Sequence, residues 1–359
     1  MNLFDLKTLG WNDFFEHHFT PHAVNGLEAG RVLVEHRNKY RLYSLAGELT
    51  AEITGRLLHT ADSQSCLPKV GDWVAFMRFE EERKGIIHQV LPRRSSFSRK
   101  IAGKQAKEQI IATNIDTIFI VQSLDQNYNL RRLERAFVLV NQSGAQPVVV
   151  LNKTDLCENV SDKIKAVKSL GVHKILTTSA KTGQGIQKLD KFIQPGFTYA
   201  FIGSSGVGKS TLINLLVGEN IQPTREVRKG DSKGRHTTTH RELIVLPHGG
   251  CLIDTPGMRE LQLWHVEEGL SQTFTDIEEL AENCHFSNCT HTQETKCAVL
   301  AALESGDLTP KRYDNFMKMQ KELTFLQTKN SKESFLEKKR KEKELHKLIK
   351  KVTKKSRRT

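Results

Sequence analysis

The sequence predicts a multidomain fold made of an N-terminal OB-type β-barrel, an α/β domain and a mainly helical C-terminal domain. Five short β-like runs fill residues 31–91, a density that suits a small barrel. From residue 116, strand-like runs alternate with helix-length segments, which is typical of a parallel α/β sheet. Beyond residue 264 the pattern is helical and polar around a group of cysteines.

Length and composition define the class of protein. With 359 residues, 38% hydrophobic and 26% charged, the chain is ordinary for a soluble globular protein of two or three domains. No apolar run approaches the roughly 18 residues that span a bilayer, and the start of the chain does not resemble a secretory signal. We therefore expect a cytoplasmic protein with no membrane partner, and we expect a monomer.

The positive charge is concentrated at the C-terminus. Of the formal net charge of +13, residues 330–359 carry +9, from 13 Lys and Arg against 4 Glu. A polyanion is the natural partner of such a tail, and nucleic acid is the commonest one. The tail is either a helix that folds on RNA or a disordered, solubilising segment.

The barrel assignment leaves two alternatives open. An SH3-like barrel would give a similar string of strands, one of which is the run at residues 48–58. Four aromatic residues either offer stacking faces to RNA or fill the core, which strand aromatics usually do: Tyr40, Tyr43, Trp73 and Phe76. The predicted boundaries are 1–28 for an N-terminal extension, 29–92 for the barrel, 93–110 for a basic linker, 111–268 for the α/β domain, 269–329 for the helical domain and 330–359 for the tail.

A phosphate-binding loop lies between a predicted strand and a predicted helix. Residues 203–210 read GSSGVGKS, a pattern in which glycines let backbone N–H groups surround phosphates. Lys209 is expected to reach the β and γ oxygens, and the Ser210 hydroxyl to ligate Mg²⁺. The expected contacts are Gly203, Ser204, Ser205, Gly206, Val207, Gly208, Lys209, Ser210 and Thr211.

Two downstream segments complete the phosphate site. In CLIDTPG, Asp254 ends a buried strand, where its carboxylate could hold Mg²⁺ through water, and the Gly257 N–H could meet the γ-phosphate. The polar loop GRHTTTH lies between the two motifs. One of its threonines could also close on Mg²⁺, and the sequence does not decide among Thr237, Thr238 and Thr239.

Residues 152–155, NKTD, indicate which base is bound. Asp155 can accept hydrogen bonds from N1–H and the amine of guanine, a pair that adenine cannot supply. Asn152 is expected to meet the opposite edge of the base, and Lys153 to cover the ring. The segment TTSAKTG at 177–183 supplies a companion loop, so GTP is favoured over ATP. The expected base contacts are Asn152, Lys153, Thr154, Asp155, Ser179 and Ala180.

The order of these motifs is that of a circular permutation. The base loop and companion loop precede the phosphate loop, which is followed by the threonine loop and the Mg²⁺ aspartate. Because the ends of a compact domain often lie close together, a sheet can be cut at one connection and rejoined without moving its site. The sequence therefore predicts a circularly permuted P-loop GTPase domain whose last motif leads into the C-terminal domain.

Three cysteines and a histidine have the chemistry of a zinc site. Cys284, Cys289, His291 and Cys297 provide the Cys₃His set of a tetrahedral site, with His285 as a competing ligand. Four protein ligands leave no open position, so one structural Zn²⁺ is expected. The alternative is a group of redox-active or unpaired thiols.

Together these motifs resemble the RsgA (YjeQ) family of bacterial GTPases that depend on the small ribosomal subunit. The resemblance covers about residues 30–325 and is carried by NKTD, SAKTG, GSSGVGKST, GRHTTT and DTPG, with the barrel before them and the cysteines after them. It implies Mg²⁺-dependent hydrolysis of GTP to GDP and phosphate, stimulated by the small (30S) subunit during late maturation. It also implies contacts with 16S rRNA. The N-terminal extension and the tail lie outside it.

The residue after the DTPG glycine is Met258, at a position where many GTPases have a glutamine that orients water. An apolar side chain cannot orient water, so slow intrinsic turnover is expected. His236 in GRHTTT is the candidate catalytic residue beside Lys209. The alternative is that His236 only contacts RNA or stabilises its loop.

Two other functions fit the same motifs. In a GTP-regulated scaffold, nucleotide would act as a switch and hydrolysis would matter little. In a metal-loading GTPase, the cysteines would hold a labile zinc. A comparison of subunit-stimulated with intrinsic GTP turnover separates a scaffold from an enzyme. Retention of zinc against a mild chelator counts against a metal-loading GTPase.

Overall fold

The computed structural model describes residues 5–36, 39–61, 63–100, 108–218, 241–247, 249–254, 267–326 and 328. These residues form two compact units. The first contains the barrel, the α/β sheet and residues 268–275, and the second contains the helices after residue 275 and the cysteine cluster. None of the helices in the described ranges combines the length and the apolar character that a membrane span requires. The basic tail, residues 330–359, lies outside the described residues.

Five strands close into the N-terminal barrel. They are β1 (Glu28–His36), β2 (Lys39–Ser44), β3 (Gly47–Ile53), β4 (Trp73–Phe79) and β5 (Lys84–Val90). Their order is β1-β2-β3-β5-β4, and β4 pairs back onto β1. The barrel pairs are antiparallel except that of β3 with β5. This closed five-strand barrel confirms the OB-type prediction.

One barrel strand is shorter than the sequence indicates. The run at residues 48–58 leaves the sheet at Ile53, and helix α2 (Gly55–Thr60) follows; helix α1 (Asp13–Ala23) lies before the barrel. The hydroxyl of Thr54 accepts a hydrogen bond from the Leu57 N–H at 3.1 Å, which caps the helix. The single-strand prediction for this run is therefore wrong after Ile53, because a local cap ends the extended backbone.

The barrel aromatics lie in the core. Tyr40, Trp73 and Phe76 are buried, and Tyr43 is half-buried. Tyr40 and Phe76 belong to one apolar cluster with residues of β1, β2, β3 and β5. The core alternative is therefore confirmed for the three buried rings.

The N-terminal extension packs on the barrel. Helix α1 (Asp13–Ala23) is capped by Asn12, whose side chain accepts a backbone N–H at 3.1 Å. The rings of Trp11 and Phe15 lie 4.7 and 5.8 Å from the ring of Trp73. Because Trp73 is fully buried, the rings of Trp11 and Phe15 extend the aromatic packing of the barrel core.

The predicted linker contains regular structure. β6 (Ser96–Lys100) pairs with β7 (Glu108–Thr113), and residues 101–107 lie outside the described ranges. Just before β6, the Arg93 guanidinium makes a bidentate pair with the buried Asp72 carboxylate, at 2.7 and 2.8 Å. This end of the segment is therefore fixed to the barrel.

Six strands form the α/β sheet at the predicted positions. They are β8 (Thr117–Ser123), β9 (Gln146–Asn152), β10 (Ile175–Thr177), β11 (Thr198–Ile202), β12 (Glu242–Val245) and β13 (Cys251–Asp254). Their order is β10-β9-β8-β11-β13-β12. Between them lie α3 (Leu130–Gln142), α4 (Val160–Lys168), α5 (Ile186–Phe192) and α6 (Lys209–Val217). Every residue of β8 and β11 is buried, as expected for strands covered on both faces.

One strand of this sheet runs against the others. β12 is antiparallel to β13, whereas the other five strands are parallel, so the prediction of a parallel sheet is wrong at β12. Only residues 246–250 connect the two strands, and a parallel pair needs a crossover of about a dozen residues or more. The turn uses Gly249 and Gly250, both at positive φ, 87° and 84°.

The barrel and the α/β sheet are joined edge to edge. β1 pairs with β12 through Val34 and Glu242, which gives one 11-stranded sheet. Arg41 of β2 donates to Glu48 at 2.5 Å and to Glu242 at 3.4 Å. Since these three side chains are 40–46% exposed to solvent, their ion pairs contribute little and the backbone pairing defines the joint.

The chain after the sheet is mainly helical, as predicted. It contains α7 (Glu267–Thr273), α8 (Thr275–Ala281), α9 (Ala298–Ser305) and a helix at residues 310–326. The Arg312 guanidinium makes a bidentate pair with Asp276 at 2.7 and 3.0 Å, which ties the last helix to α8. The cysteine cluster lies between α8 and α9.

Candidate nucleotide site and metal centre

The predicted nucleotide loops meet at one edge of the sheet. The base loop (152–155) follows β9, the companion loop (177–183) follows β10, the phosphate loop (203–208) follows β11, and Asp254 ends β13. These strands and β8 are parallel neighbours, so their carboxyl ends lie at the same edge. Open α/β sheets bind ligands at this edge.

The phosphate loop has the backbone that its glycines predict. Gly203 has a φ of 146°, and a Cβ there would lie 2.4 Å from the Val121 carbonyl oxygen. Gly208 is left-handed, with a φ of 99°, and α6 begins at the next residue. The positive end of this helix dipole therefore faces the loop, as in other phosphate sites.

Lys209 is folded onto the phosphate loop. Its ammonium donates to the carbonyl oxygens of Gly203 and Ser204, both at 2.8 Å. Burial lowers the pKa of Lys209 to about 8, and the negative charge of Asp254 opposes that shift. A phosphate at the loop would replace neutral carbonyls with an anionic partner.

The remaining residues of the phosphate-loop motif lie either in the loop itself or in the first turn of α6. Val207 is buried, and Ser205 and Gly206 are exposed at the tip of the loop. Ser210 and Thr211 lie half-buried in the first turn of α6. The two hydroxyls therefore stand beside the end of the helix that faces the phosphates.

Asn152 connects the base loop with the phosphate loop and the companion loop. Its amide nitrogen donates to the Val207 carbonyl at 2.8 Å, and its amide oxygen accepts from the Thr178 hydroxyl and the Ala180 N–H, both at 3.1 Å. The side chain is buried. Within the described chain, these contacts leave one amide hydrogen for the base that the sequence expects Asn152 to meet.

Gly208 makes room for that connection. A Cβ at Gly208 would lie 2.3 Å from the Asn152 amide nitrogen. This glycine therefore serves two purposes, since its left-handed backbone starts α6 and its missing side chain admits Asn152 to the phosphate loop.

The other base-loop residues are held in place by neighbouring loops. The Ser179 hydroxyl donates to a carboxylate oxygen of the exposed Asp155 at 2.5 Å. Thr154 donates from its hydroxyl to the Thr178 carbonyl at 3.2 Å. Lys153 has a left-handed backbone, with a φ of 62°, and its ammonium donates to the Asp125 carboxylate at 2.8 Å.

Asp125 and Arg132 belong to this site and were missed from the sequence. Burial alone would raise the pKa of Asp125, but hydrogen bonds from Lys153, the Ser123 hydroxyl and a backbone N–H lower it to about 2. Arg132 donates to the Ser204 hydroxyl at 3.1 Å. The sequence does contain one indication that Asp125 belongs to the site, because this residue follows the buried strand β8 at the same edge of the sheet.

Some predicted residues lie outside the described ranges. They are His236, Thr237, Thr238, Thr239, Gly257 and Met258. Their expected contacts with Mg²⁺, water and the γ-phosphate therefore stay predictions.

The predicted metal ligands lie together in the second unit. The ligand atoms of Cys284, Cys289, His291 and Cys297 are within 4.8 Å of one another, so the group could hold a metal ion. The His291 Nδ1 atom lies 3.6 Å from the Cys284 sulfur and 3.4 Å from the Cys297 sulfur. His285 is exposed, packs against a neighbouring phenylalanine and is not part of the group.

The loop around the cluster is organised by hydrogen bonds. The Tyr313 hydroxyl donates to the His291 carbonyl at 2.6 Å, and the Cys297 sulfur caps α9 by accepting the Leu300 N–H at 3.5 Å. The Glu294 carboxylate accepts hydrogen bonds from the Thr290 hydroxyl and from the backbone N–H groups of residues 290, 292 and 293. Together these bonds lower the pKa of Glu294 well below its usual range. The donor set and its surroundings fit a tetrahedral structural metal.

The fold and the loops define the class of protein, a P-loop GTPase whose motifs follow one another in permuted order. A family model described as RsgA GTPase matches residues 90–264. The small ribosomal subunit biogenesis GTPase RsgA of Opitutus terrae is 46% identical over 330 residues, which cover 89% of this chain and 90% of that protein. The chain belongs to the RsgA GTPase family and is a GTP hydrolase.

Two solved structures have a fold similar to that of this chain. The crystal structure of YjeQ from Thermotoga maritima matches with a TM-score of 0.63 at 28% identity, covering 83% of this chain and 99% of that one. The crystal structure of YloQ, a circularly permuted GTPase, matches with a TM-score of 0.61 at 25% identity, covering 83% and 95%. A second family model, described as ABC transporter, matches residues 186–356 and shares the phosphate loop with the first.

Proposed function

We propose that this chain acts on the small (30S) ribosomal subunit during late maturation, and that the subunit stimulates its hydrolysis of GTP to GDP and phosphate. The relative from Opitutus terrae is named a small ribosomal subunit biogenesis GTPase, which supports the subunit as the partner. The observation that carries the GTPase part of the proposal is the connection made by Asn152, since it holds the base loop and the phosphate loop in one site.

Guanine is selected by Asp155. One of its oxygens accepts the Ser179 hydroxyl, which fixes the carboxylate, and within the described residues the other oxygen has no partner. The N1–H and amine of guanine donate to this carboxylate, and adenine offers no such pair. A site built to receive paired hydrogen bonds rejects a base that lacks them. Lys153, held by Asp125, lies over the ring, and the companion loop faces the base through Ser179 and Ala180.

The phosphates are held by the loop and by Lys209. The N–H groups of residues 203–211 surround them, and the Lys209 ammonium moves from two carbonyl oxygens to the β and γ oxygens. Magnesium would be held by the Ser210 hydroxyl and one of Thr237, Thr238 and Thr239, with Asp254 acting through water. When bound, it neutralises charge that develops on the phosphates.

Water is oriented by His236 in this proposal, because Met258 cannot do so. Gly257 contributes an N–H at the γ-phosphate. The variant His236→Ala is expected to lose subunit-stimulated hydrolysis and to keep GDP affinity. Full stimulated hydrolysis in His236→Ala would remove the residue from the mechanism.

One structural Zn²⁺ is held by Cys284, Cys289, His291 and Cys297. The fit rests on a donor set of three thiols and an imidazole whose ligand atoms cluster within 4.8 Å. Bound zinc would fix the loop between α8 and α9 and leave no position for a substrate.

Contact with 16S rRNA is assigned to the barrel and the basic tail. The tail carries +9 of the net charge of +13, which favours an RNA partner. A maturing subunit places the protein in the cytoplasm, and a single copy of the chain contains every residue of the proposed site.

Cosedimentation with purified ribosomal subunits tests the proposal. We expect binding to the small subunit with a non-hydrolysable GTP analogue and weaker binding with GDP. Equal binding in both nucleotide states, or preference for the large subunit, would contradict it. The ratio of subunit-stimulated to intrinsic turnover then separates an enzyme from a GTP-regulated scaffold, for which the ratio is near one.

A further inference from the structure

A small cavity lies at the edge of the sheet opposite the nucleotide loops. Its volume is about 100 Å³, and its lining includes Arg31, Arg94, Asn114, Asp116 and Thr198. Asp116 directly precedes β8 and Thr198 begins β11, so the cavity is at the amino ends of strands whose carboxyl ends carry the nucleotide site. The two sites therefore share no residue.

Arg31 brings a buried positive charge to this cavity. The side chain is 1% exposed, and its nitrogens donate to the carbonyl oxygens of Leu9, Gly71 and Asn114. A guanidinium has five N–H groups, so these bonds leave two without an acceptor among the described residues. Burial lowers the pKa of Arg31, and the nearby charges of Asp116 and Asp72 oppose that shift. Neither carboxylate makes a direct ion pair with Arg31 among the described residues, and a buried charge without a contacting counter-ion is unfavourable.

Thr198 brings a hydroxyl without a partner. Its Oγ1 atom is buried and makes no hydrogen bond within the described residues. Its backbone N–H donates to the Asp116 carboxylate at 2.8 Å, which fixes the residue at the cavity wall. Buried hydroxyls nearly always have a partner, so this one indicates a ligand or a water.

The charges of the lining indicate which ligand. Arg31 and Arg94 are positive and Asp116 is negative, so the lining has a net positive charge. Arg94 and Asp116 are 3.4 Å apart, a long contact that leaves both able to bond a ligand. Water would satisfy the hydroxyl without balancing the charge. An anion that accepts from the arginines and also donates to Asp116 satisfies all of these groups.

We propose that this cavity binds a small oxyanion that carries a proton, such as hydrogen phosphate. Its oxygens accept hydrogen bonds from Arg31, Arg94 and the Thr198 hydroxyl, and its O–H donates to Asp116. Acetate supplies acceptors of similar size and no donor. Nucleotides are excluded because the volume of about 100 Å³ is well below the roughly 300 Å³ at which pockets begin to enclose larger ligands.

Thermal unfolding of the full chain, saturated with a non-hydrolysable GTP analogue and Mg²⁺, tests the proposal. The analogue occupies the phosphate loop up to the γ position, so added phosphate can act only elsewhere. At about 10 mM phosphate we expect the unfolding midpoint to rise by about 2 °C relative to chloride at equal ionic strength. We expect no such rise in acetate. Equal midpoints in phosphate and chloride would overturn the proposal, and an equal rise in acetate would overturn the requirement for a proton on the anion.

Two variants locate the site. Thr198→Val keeps the shape of the side chain and removes the unpartnered hydroxyl, so we expect an unchanged or higher midpoint in chloride and at least a halved response to phosphate. Arg94→Gln removes the charge of a side chain that is 47% exposed, and we expect the same loss of response. The control Thr50→Val, at an exposed barrel position, should keep the full response. A full phosphate response in both cavity variants would overturn the assignment of the site.

Discussion

The nucleotide site and the cysteine cluster are assembled in opposite ways. The nucleotide residues come from loops between residues 125 and 254 and are brought together by parallel strands with a buried core. The four possible metal ligands lie within residues 284–297, between two helices. In the first region Asn152 links the loops through protein hydrogen bonds. In the second, three thiols and an imidazole face one another.

This difference indicates where each region obtains its stability. The core of the sheet is formed by buried protein side chains, so we expect the nucleotide loops to be held before nucleotide binds. At a structural metal site of this kind, the free energy of metal binding becomes folding free energy. We therefore expect ligand removal to have a small structural effect at the first region and a large one at the second.

The largest effect is expected from Lys209→Ala. Removal of a preorganised charge at the phosphates should slow GTP hydrolysis roughly 100- to 1,000-fold. The rate of phosphate release at saturating GTP measures this, with Lys188→Ala on the exposed face of α5 as the control. A loss smaller than about threefold would show that the lysine does not act on the transition state.

Asp155→Asn tests the base loop. The loss of two hydrogen bonds to a charged group, at about 1.5 kcal/mol each, should weaken GDP binding about 100-fold. An amide can donate to the carbonyl that xanthine has in place of the guanine amine, so xanthosine diphosphate should bind better than GDP. Titration of a fluorescent GDP analogue by competing nucleotides measures both. Glu158→Gln should bind GDP like the parent chain, and unaltered guanine preference in Asp155→Asn would contradict the assignment.

Cys289→Ser tests the metal region. We expect the variant to lose zinc during dialysis against a mild chelator, whereas the parent chain keeps one zinc per chain, because three ligands bind much more weakly than four. Zinc content per chain is the measurement. Cys66→Ser, an exposed cysteine of the barrel region, should retain zinc. Loss of zinc from the parent chain under the same conditions would favour a labile site.

The pH dependence of GDP binding follows from the pKa of Lys209, about 8 in the free protein. Phosphate binds the protonated amine, so GDP affinity should fall by up to about tenfold for each pH unit above that value. Calorimetry between pH 7 and 9.5 measures this, and Lys209→Met should remove the dependence. In the free protein the lowered pKa means that unfolding takes up a proton between pH 8 and 10.5, so this group makes stability rise with pH in that window.

Asp125→Asn should have the smallest effect. The amide keeps the shape of the carboxylate and loses its charge, so the ion pair that positions the Lys153 ammonium is lost. Since the pair is partly exposed, we expect a loss of about 1 kcal/mol, or roughly fivefold in GDP affinity. Asp162→Asn on α4 is the control. Unchanged affinity in Asp125→Asn would show that Lys153 needs no positioning.

The sequence was sufficient to predict the parts of the fold that local patterns encode. Six apolar runs predict the six sheet strands, and the phosphate loop is recognised because its glycines and lysine act within nine neighbouring residues. The direction of β12 was predicted wrongly, because it depends on a five-residue connection rather than on the strand itself. The helix after Thr54 was missed because a single cap outweighs the strand pattern around it.

Contacts between distant residues were beyond local patterns. The motif assigns Asn152 to the base, yet most of its hydrogen bonds join three loops, and its partners lie 26 to 55 residues away. Asp125 belongs to no motif and is placed beside Lys153 only because β8 and β9 are adjacent. The metal ligands could be predicted as a set because all four lie in one short loop.

Hydrogen exchange of the nucleotide-free chain, measured with and without a strong chelator, tests the central comparison most directly. We predict that chelation greatly speeds exchange at residues 284–297, where Glu294 now protects three backbone N–H groups, and leaves β9 and β11 protected. Unchanged protection at 284–297 after metal removal, or loss of protection in β9 and β11 without nucleotide, would contradict the account.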